Sequence, residues 1–385
     1  MIRRRIFLAW LIIFREKVRL LVALSGIAFA GMLIFIQLGF QDALFDSNTR
    51  FHQSLKGDLV LIGTQARNLA NMSRFPRRRL YQAMNFAEVA SAEPLYINFA
   101  NWKHPQTHRS SSILVIGFDP SKPVFNLDRV NQNLDLIKLE DTLLFDSAAR
   151  GEYDLTVASI RQGKPVTTEI EGRKIELSGL FTIGASFAAD AHLITSDFNF
   201  LRIITAREIG QVSIGIITLK PGVNHQKVAT ALKAELPDDI KVLTHEEFIN
   251  FEKNYWRRST AIGFIFAMGT TLGFIVGVVI VYQILYSDVS DHLAEYATLK
   301  AIGFSNFYFL SVVFQESLLL AILGYIPGFI ISIFLYQITK NATRLPITMS
   351  LERAITVLFL ILIMCCISGA LSMRKLQKAD PADIF

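Results

Sequence analysis

Charge is what this sequence lacks. Asp, Glu, Lys and Arg make up 19% of its 385 residues, against 51% hydrophobic residues, where a soluble domain carries roughly 25% charge. The shortfall excludes a disordered chain and argues against an ordinary cytosolic enzyme. Cysteine is scarce as well. The two present, Cys365 and Cys366, are adjacent in an apolar run without metal partners nearby, so both read as packing residues. No disulfide framework is available. There is no G-x-x-x-x-G-K-[ST] run, hence no P-loop and no ATPase activity of the chain's own. No H-E-x-x-H occurs; His245-Glu246-Glu247 reads as a helix start. Gly184-Ala185-Ser186-Phe187-Ala188 misses the nucleophile elbow at its last position. His104 and His108 are spaced like metal ligands but stand in a Pro-containing polar loop without partners. No catalytic residue, no metal site and no cofactor bound by this chain are therefore expected.

What the sequence does have is long apolar runs. Leu20 to Gln41, Ser259 to Ser287 and Ala354 to Met373 carry no charge, and Ala301 to Thr339 carries one, Glu316. Roughly 20 apolar residues cross a bilayer as a helix. Four transmembrane helices are expected, near 18–40, 261–286, 308–337 and 354–373. The first has a long basic flank, an apolar run beyond signal-peptide length and no small-x-small site after it, so it is expected to remain in the mature protein.

Lys and Arg near the helix ends set the orientation. Residues 1–19, the 287–307 loop and the 374–385 tail together hold ten, against three in 338–353. Both termini are thus expected in the cytoplasm, with residues 41–260 outside. That outer part is nearly neutral, with 26 Lys/Arg and 25 Asp/Glu, while most of the net charge of +6 sits in the first 19 residues. The basic balance reflects topology and not a nucleic-acid surface. Arg77, Arg78 and Arg79, the basic cluster outside, read as a solvated helix start.

Ile2, Ile6, Trp10 and Ile13 share one helical face beside Arg3, Arg4 and Arg5, which suits either an amphipathic helix on the membrane surface over 1–17 or a simple basic anchor. Phe40, Leu44, Phe51 and Leu55 recur near heptad spacing and predict that the first helix continues over 41–56. Phe248, Phe251, Tyr255 and Trp256 predict a matching helix over 245–260. The two are expected to pair as a stalk. Between them, 57–244 reads as an α+β domain of one or two lobes. Strands are expected over 58–62, 112–118, 174–183, 192–195, 212–220 and 241–244, and helices over 76–86, 141–150 and 224–236. Residues 120–140 read as loop-rich. The fold class is an α-helical membrane protein with four transmembrane helices plus a large α+β extracytoplasmic domain on a two-helix stalk.

Gly269, Gly273 and Gly277 repeat every four residues in the second membrane helix. Small residues at that spacing let helices approach closely; the face suits packing within one chain or a dimer contact. Glu316 is an intramembrane carboxylate, a costly feature that faces a bundle interior or water. Without other acidic or His residues in the helices it reads as structural or coupling. Gly324, Pro327 and Gly328 should loosen or kink the third helix.

The loop Asp288-Val289-Ser290-Asp291-His292-Leu293-Ala294-Glu295-Tyr296-Ala297-Thr298-Leu299-Lys300-Ala301-Ile302-Gly303 reads as a short helix ending at Gly303. Its Glu-aromatic-x-x-x-Lys-Ala-Ile-Gly core resembles the coupling helix of MacB/FtsX-type permeases of ABC transporters. Glu316, Gly324 and Gly328 resemble that family's acidic residue and glycine pair, and Lys378-Ala379-Asp380-Pro381-Ala382-Asp383 resembles its Asp-Pro-x-[Glu/Asp] ending. Leu44-Phe45-Asp46-Ser47-Asn48, Phe251-Glu252-Lys253-Asn254-Tyr255-Trp256 and the loop together resemble the DevC permeases of cyanobacteria. This resemblance implies a homodimeric subunit of the bacterial inner membrane, with a periplasmic domain over 57–244. It implies a separate ABC ATPase dimer carrying ATP and Mg, a periplasmic membrane-fusion adaptor and an outer-membrane TolC-like duct. The implied activity is tripartite export of glycolipid or another hydrophobic substrate. Asp291, Glu295, Tyr296 and Lys300 would contact or orient the ATPase cleft, with Ala301 and Gly303 shaping the loop. Two other roles share the topology: an FtsX-like signal transmitter that activates a periplasmic hydrolase, and a lipoprotein-release permease.

Overall fold

The computed structural model describes residues 17–208, 210–292, 294, 298–299 and 302–378. The expected surface helix at 1–17 lies outside that set save for Lys17, and the tail motif lies outside it save for Lys378. The described residues divide into two compact units, one of 17–43, 261–341 and 347–378, the other of 44–260 and 342–346.

Helix α1, Lys17–Ser54, contributes to both units. In the second unit it is followed by β1 (Leu59–Gly63), β2 (Phe75–Pro76), α2 (Arg78–Met84), β3 (Val89–Lys103) and β4 (Ser110–Phe118). Two short helices follow, α3 (Asp128–Asn131) and α4 (Leu134–Lys138), then β5 (Thr142–Asp146), α5 (Asp154–Arg161), β6 (Val166–Ile170) and β7 (Arg173–Phe181). Next come β8 (His192–Ser196), α6 (Asp197–Ile203), β9 (Gln211–Val212), β10 (Ile214–Leu219), α7 (His225–Glu235), β11 (Ile240–Thr244) and α8 (His245–Asn254).

Nine strands form one mixed sheet in the order β11-β1-β10-β3-β4-β8-β5-β7-β6, with parallel pairs at β4/β8 and β5/β7. The 15-residue β3 also pairs with β6 at its far end, so that half of the sheet closes on itself. Alternate residues of one strand feed separate cores. Leu59 and Leu61 join one cluster, Val60 and Ile62 the other. A strand buried on both faces reads as a continuous apolar run.

That rule corrects the helix expected over 141–150. Thr142–Asp146 is a strand with all five residues buried, Leu143 and Phe145 in one core and Leu144 in the other. The basic cluster is corrected too. Arg79 is buried and donates twice to Asp239 from Nε (2.9 and 3.1 Å) and once from Nη2 (2.7 Å), so it is a core tie and not a solvated charge. His104 accepts the Gln106 and Thr107 backbone N–H groups at Nδ1 and stacks on Tyr153 at 4.5 Å, and burial lowers its pKa. Its role is to hold a turn. Among the described residues no cluster of three His, Cys, Asp or Glu is placed to hold a metal ion.

The expected helix start at His245 is made by a capping box. The Thr244 hydroxyl accepts the Glu247 N–H while the Glu247 carboxylate accepts the Thr244 N–H. Those hydrogen bonds hold the Glu247 carboxyl below its ordinary range. The seam residues Phe51, Leu55 and Phe248 do not form a free-standing coiled coil. They are fully buried in the core on one face of the sheet, with Phe251 packed against it.

At this junction a buried carboxylate ties three chain segments together. Glu252 and His52 have no exposed side-chain surface. Glu252 accepts the Leu69 N–H at 2.8 Å and the Trp256 indole N–H at 2.8 Å, and lies 3.5 Å from His52 Nε2. Removing one partner of such a group leaves the others desolvated and unpaired. Glu252→Ala is therefore expected to destabilise the second unit by about 3 kcal/mol, read as an earlier thermal transition of the full chain in detergent. A change below about 0.5 kcal/mol would show that Glu252 is not the tie described.

Candidate functional site

The first unit is built from α1 and three further helices: α9 (Ala261–Asp291), α10 (Asn306–Thr343) and α11 (Leu351–Lys378). All four are long and apolar enough to cross a membrane. Each runs past its apolar stretch because polar residues continue the helix: α9 extends to Asp291 and α10 to Thr343. The outward faces are themselves apolar, with Phe264 and Leu272 on α9, Ile330 and Phe334 on α10, and Phe359 on α11 exposed. Water would not tolerate so much contiguous apolar surface.

Packing inside the unit centres on α1, where Ile27, Ala30, Ile34 and Phe35 have no exposed surface. Glycine makes the approach possible in both directions. On α1 itself, a Cβ at Gly26 would meet Ile280 at 2.5 Å and one at Gly31 would meet Ile361 at 2.8 Å. The glycine row of α9 faces the same helix. A Cβ at Gly269 would meet Gln37 at 2.5 Å, one at Gly273 would meet Ile34 at 3.3 Å, and one at Gly277 would meet Ala30 at 2.9 Å as well as Met364. In this chain the row thus faces α1. A Cβ at Gly324 would meet Ile27 at 2.6 Å, and one at Gly328 would meet the Ala28 carbonyl oxygen at 2.9 Å. Pro327 lies between them inside α10. Cys365 is buried in this core beside Met364.

Polar contacts reinforce the arrangement. Tyr336 donates its hydroxyl proton to the Phe35 carbonyl. Arg353 donates to Asp42 from Nε at 3.0 Å and Nη2 at 2.6 Å, and to the Thr348 carbonyl. The sequence offered Arg353 only as a loop charge.

Glu316 is 5% exposed, and its carboxyl neighbours that of Asp288. Arg19 reaches both acidic residues of α9, with Nη1 3.4 Å from Asp288 and 3.0 Å from Asp291. Arg19 also approaches the Ile284 carbonyl at 3.4 Å. Charged groups from α1, α9 and α10 therefore converge at one end of the bundle. This corrects two readings. Glu316 has an acidic neighbour among the helices, because α9 continues past the apolar stretch and carries Asp288 inside. Arg19, read as a flanking charge, is the cation of the cluster. A one-turn search beyond each apolar run would have found both.

The loop after α9 attaches to the same end. Asp291 closes α9 with its side chain 60% exposed. The Thr298 hydroxyl donates to the Ala294 carbonyl, and the Ile302 N–H bonds the Thr298 carbonyl. The Phe304 N–H then reaches back to the Leu299 carbonyl at 3.1 Å, with Gly303 at φ +105° between them. This is a Schellman closure, and the left-handed position explains the glycine. Leu299 packs on a cluster of Val289, Phe309, Val313 and Met373, so the loop touches the ends of α9, α10 and α11. Ile302 is 71% exposed beside Gly303, an apolar surface that the sequence reading passed over. Glu295, Tyr296, Lys300 and Ala301 lie outside the described residues.

Residues 265–381, which span α9 to the tail, match the model of the FtsX-like permease C-terminal family. No curated protein matches the chain. Among solved structures it is similar to the periplasmic region of MacB from Actinobacillus actinomycetemcomitans, at 11% identity and a TM-score of 0.35, covering 52% of this chain and 94% of that one. It is also similar to the extracellular domain of the noncanonic ABC-type transporter YknZ from Gram-positive bacteria, at 12% identity and a TM-score of 0.33, covering 49% and 98%. At those scores neither likeness bears on function.

Gly328 offers the cleanest test of the packing, since the atoms facing it are backbone and cannot turn aside. Gly328→Val is expected to force α1 and α10 apart and destabilise the chain by about 2 kcal/mol. Gly303→Ala meets no atom within 4 Å and is expected to cost about 1 kcal/mol through its backbone conformation alone. Thermal melts of both variants in one detergent check the order; the reverse order would contradict the assignment.

Proposed function

We propose that this chain is the membrane subunit of an ATP-driven export pump, and that the loop after α9 receives the motion of a separate ATPase. The observation that carries the reading is the way this loop is fastened. It is closed by Gly303, seated through Leu299 on the ends of three helices, and continuous with a segment that matches FtsX-like permeases. A push on such a loop enters α9, α10 and α11 together. The FtsX-like match supports an ABC-type permease without catalytic chemistry of its own, and in this reading ATP and Mg are held by the partner ATPase.

In this reading the four helices cross the inner membrane with both termini inside. Residues 57–244 form the outer domain, and segments 41–56 and 245–260 lead into it with Phe51, Leu55 and Phe248 packed in its core. Two copies pair with an ATPase dimer. Asp291, Glu295, Tyr296 and Lys300 face the ATPase cleft, and exposed Ile302 adds an apolar contact. The finer proposal is a DevC-type exporter that works with a membrane-fusion adaptor and a TolC-like duct on glycolipid or another hydrophobic cargo. Its support is the resemblance of the loop and of the two junction segments.

The test is to purify the chain with its candidate ATPase and adaptor, then measure complex mass and ATP hydrolysis. The expected result is a core of two permeases and two ATPases whose rate rises with the adaptor, and loss of that rise in Glu295→Arg. Stimulation unchanged in Glu295→Arg would remove the coupling assignment. A stable core indifferent to any adaptor would favour signalling to a hydrolase, or lipoprotein release.

A further inference from the structure

A cavity of about 680 Å³ lies in the first unit between α1 and α10. Its walls include Leu20, Leu24 and Ala28 from α1 and Pro327 and Ile331 from α10. It follows from the packing just described. Gly328 lies against the Ala28 backbone, and Pro327 beside it inside α10 has no N–H to give the helix ladder. The slot opens beside this close contact, with Pro327 itself on its wall. From Lys17 to Met32, both of which line it, an α-helix rises about 22 Å. One leaflet of hydrocarbon is about 15 Å deep.

The polarity of the slot is one-sided. Among its described lining residues the only charge is Lys17, at the first turn of α1, and the only other polar side chain is Ser25. Leu21, on the same wall, is 69% exposed. Arg19, the neighbouring cation, is turned toward Asp288 and Asp291, so Lys17 is the ammonium that the slot presents. An apolar trough of leaflet length whose described lining carries one cation at its end is complementary to an acyl chain bearing an anionic headgroup. Basic pockets between membrane helices hold such headgroups.

We propose that this slot binds one anionic glycerophospholipid, its acyl chain along α1 and its phosphate on Lys17. The lipid fills the slot beside Pro327 and completes the packing of α1 against α10. The proposal needs the helices to lie in a bilayer, but it does not depend on an ATPase, an adaptor or a cargo.

The full chain, stripped of lipid in detergent, is titrated with phosphatidylglycerol or phosphatidylcholine and observed by native mass spectrometry. One phosphatidylglycerol per chain should be retained in preference to phosphatidylcholine. Lys17→Gln should weaken its retention about fivefold, the worth of one cation near a headgroup. Ser25→Trp, which projects a ring into the slot from an exposed position, should abolish it. Lys340→Gln, near the opposite end of α10, should leave it unchanged. Equal retention of both lipids, or retention unaffected by Ser25→Trp, would overturn the proposal. So would efficient disulfide formation between two Phe29→Cys chains, which would make the slot a contact between copies.

Discussion

The membrane unit rests on how closely backbones can come to α1. Lipid tails are as apolar as leucine, so helices in a bilayer gain little from hiding apolar surface and depend on packing contact. Contact requires small residues where axes approach. Gly26 and Gly31 supply them on α1, and Gly273, Gly277, Gly324 and Gly328 supply them on its neighbours. The remaining features of the unit follow from that approach. The Tyr336 hydroxyl reaches the Phe35 carbonyl only because Gly39 leaves room for its ring.

The charged cluster belongs to the same geometry. Arg19, Asp288 and Glu316 come from three helices and meet because those helices are drawn together. Buried charge is a poor source of net stability, yet it is costly to misplace. A register shift of one helix would strand a carboxyl in hydrocarbon, so the cluster selects one alignment. It stands beside the Val289–Phe309–Met373 contacts that seat Leu299.

Much of the second unit was legible because strand signals are local. β4, β8 and β11 lie within a residue or two of the expected spans, and Thr244 with Glu247 marks α8 by its capping pattern. Thr142–Asp146 was misread because its apolar run serves two cores at once, and periodicity cannot separate a doubly buried strand from a buried helix segment. β3 was missed because Glu93, Pro94 and several polar residues interrupt its pattern. Pro94 is accommodated opposite Gly215 of β10. Phe51 and Phe248 have heptad-like spacing, but that spacing says nothing about the partner. The partner is the face of the sheet.

By itself, the sequence determined the class of the molecule: four long apolar helices, an intervening α+β domain and a chain without a P-loop. Hydropathy, capping and motif spacing are sums over neighbouring residues, so they survive without a fold. The tertiary structure alone decided that the Gly269–Gly277 row meets α1, that Arg79 pairs with Asp239, and that Asp288 and Arg19 accompany Glu316. In each case the residues are separated by many positions in the chain. Their meeting depends on which backbones can approach, and that is a property of the packed bundle and sheet.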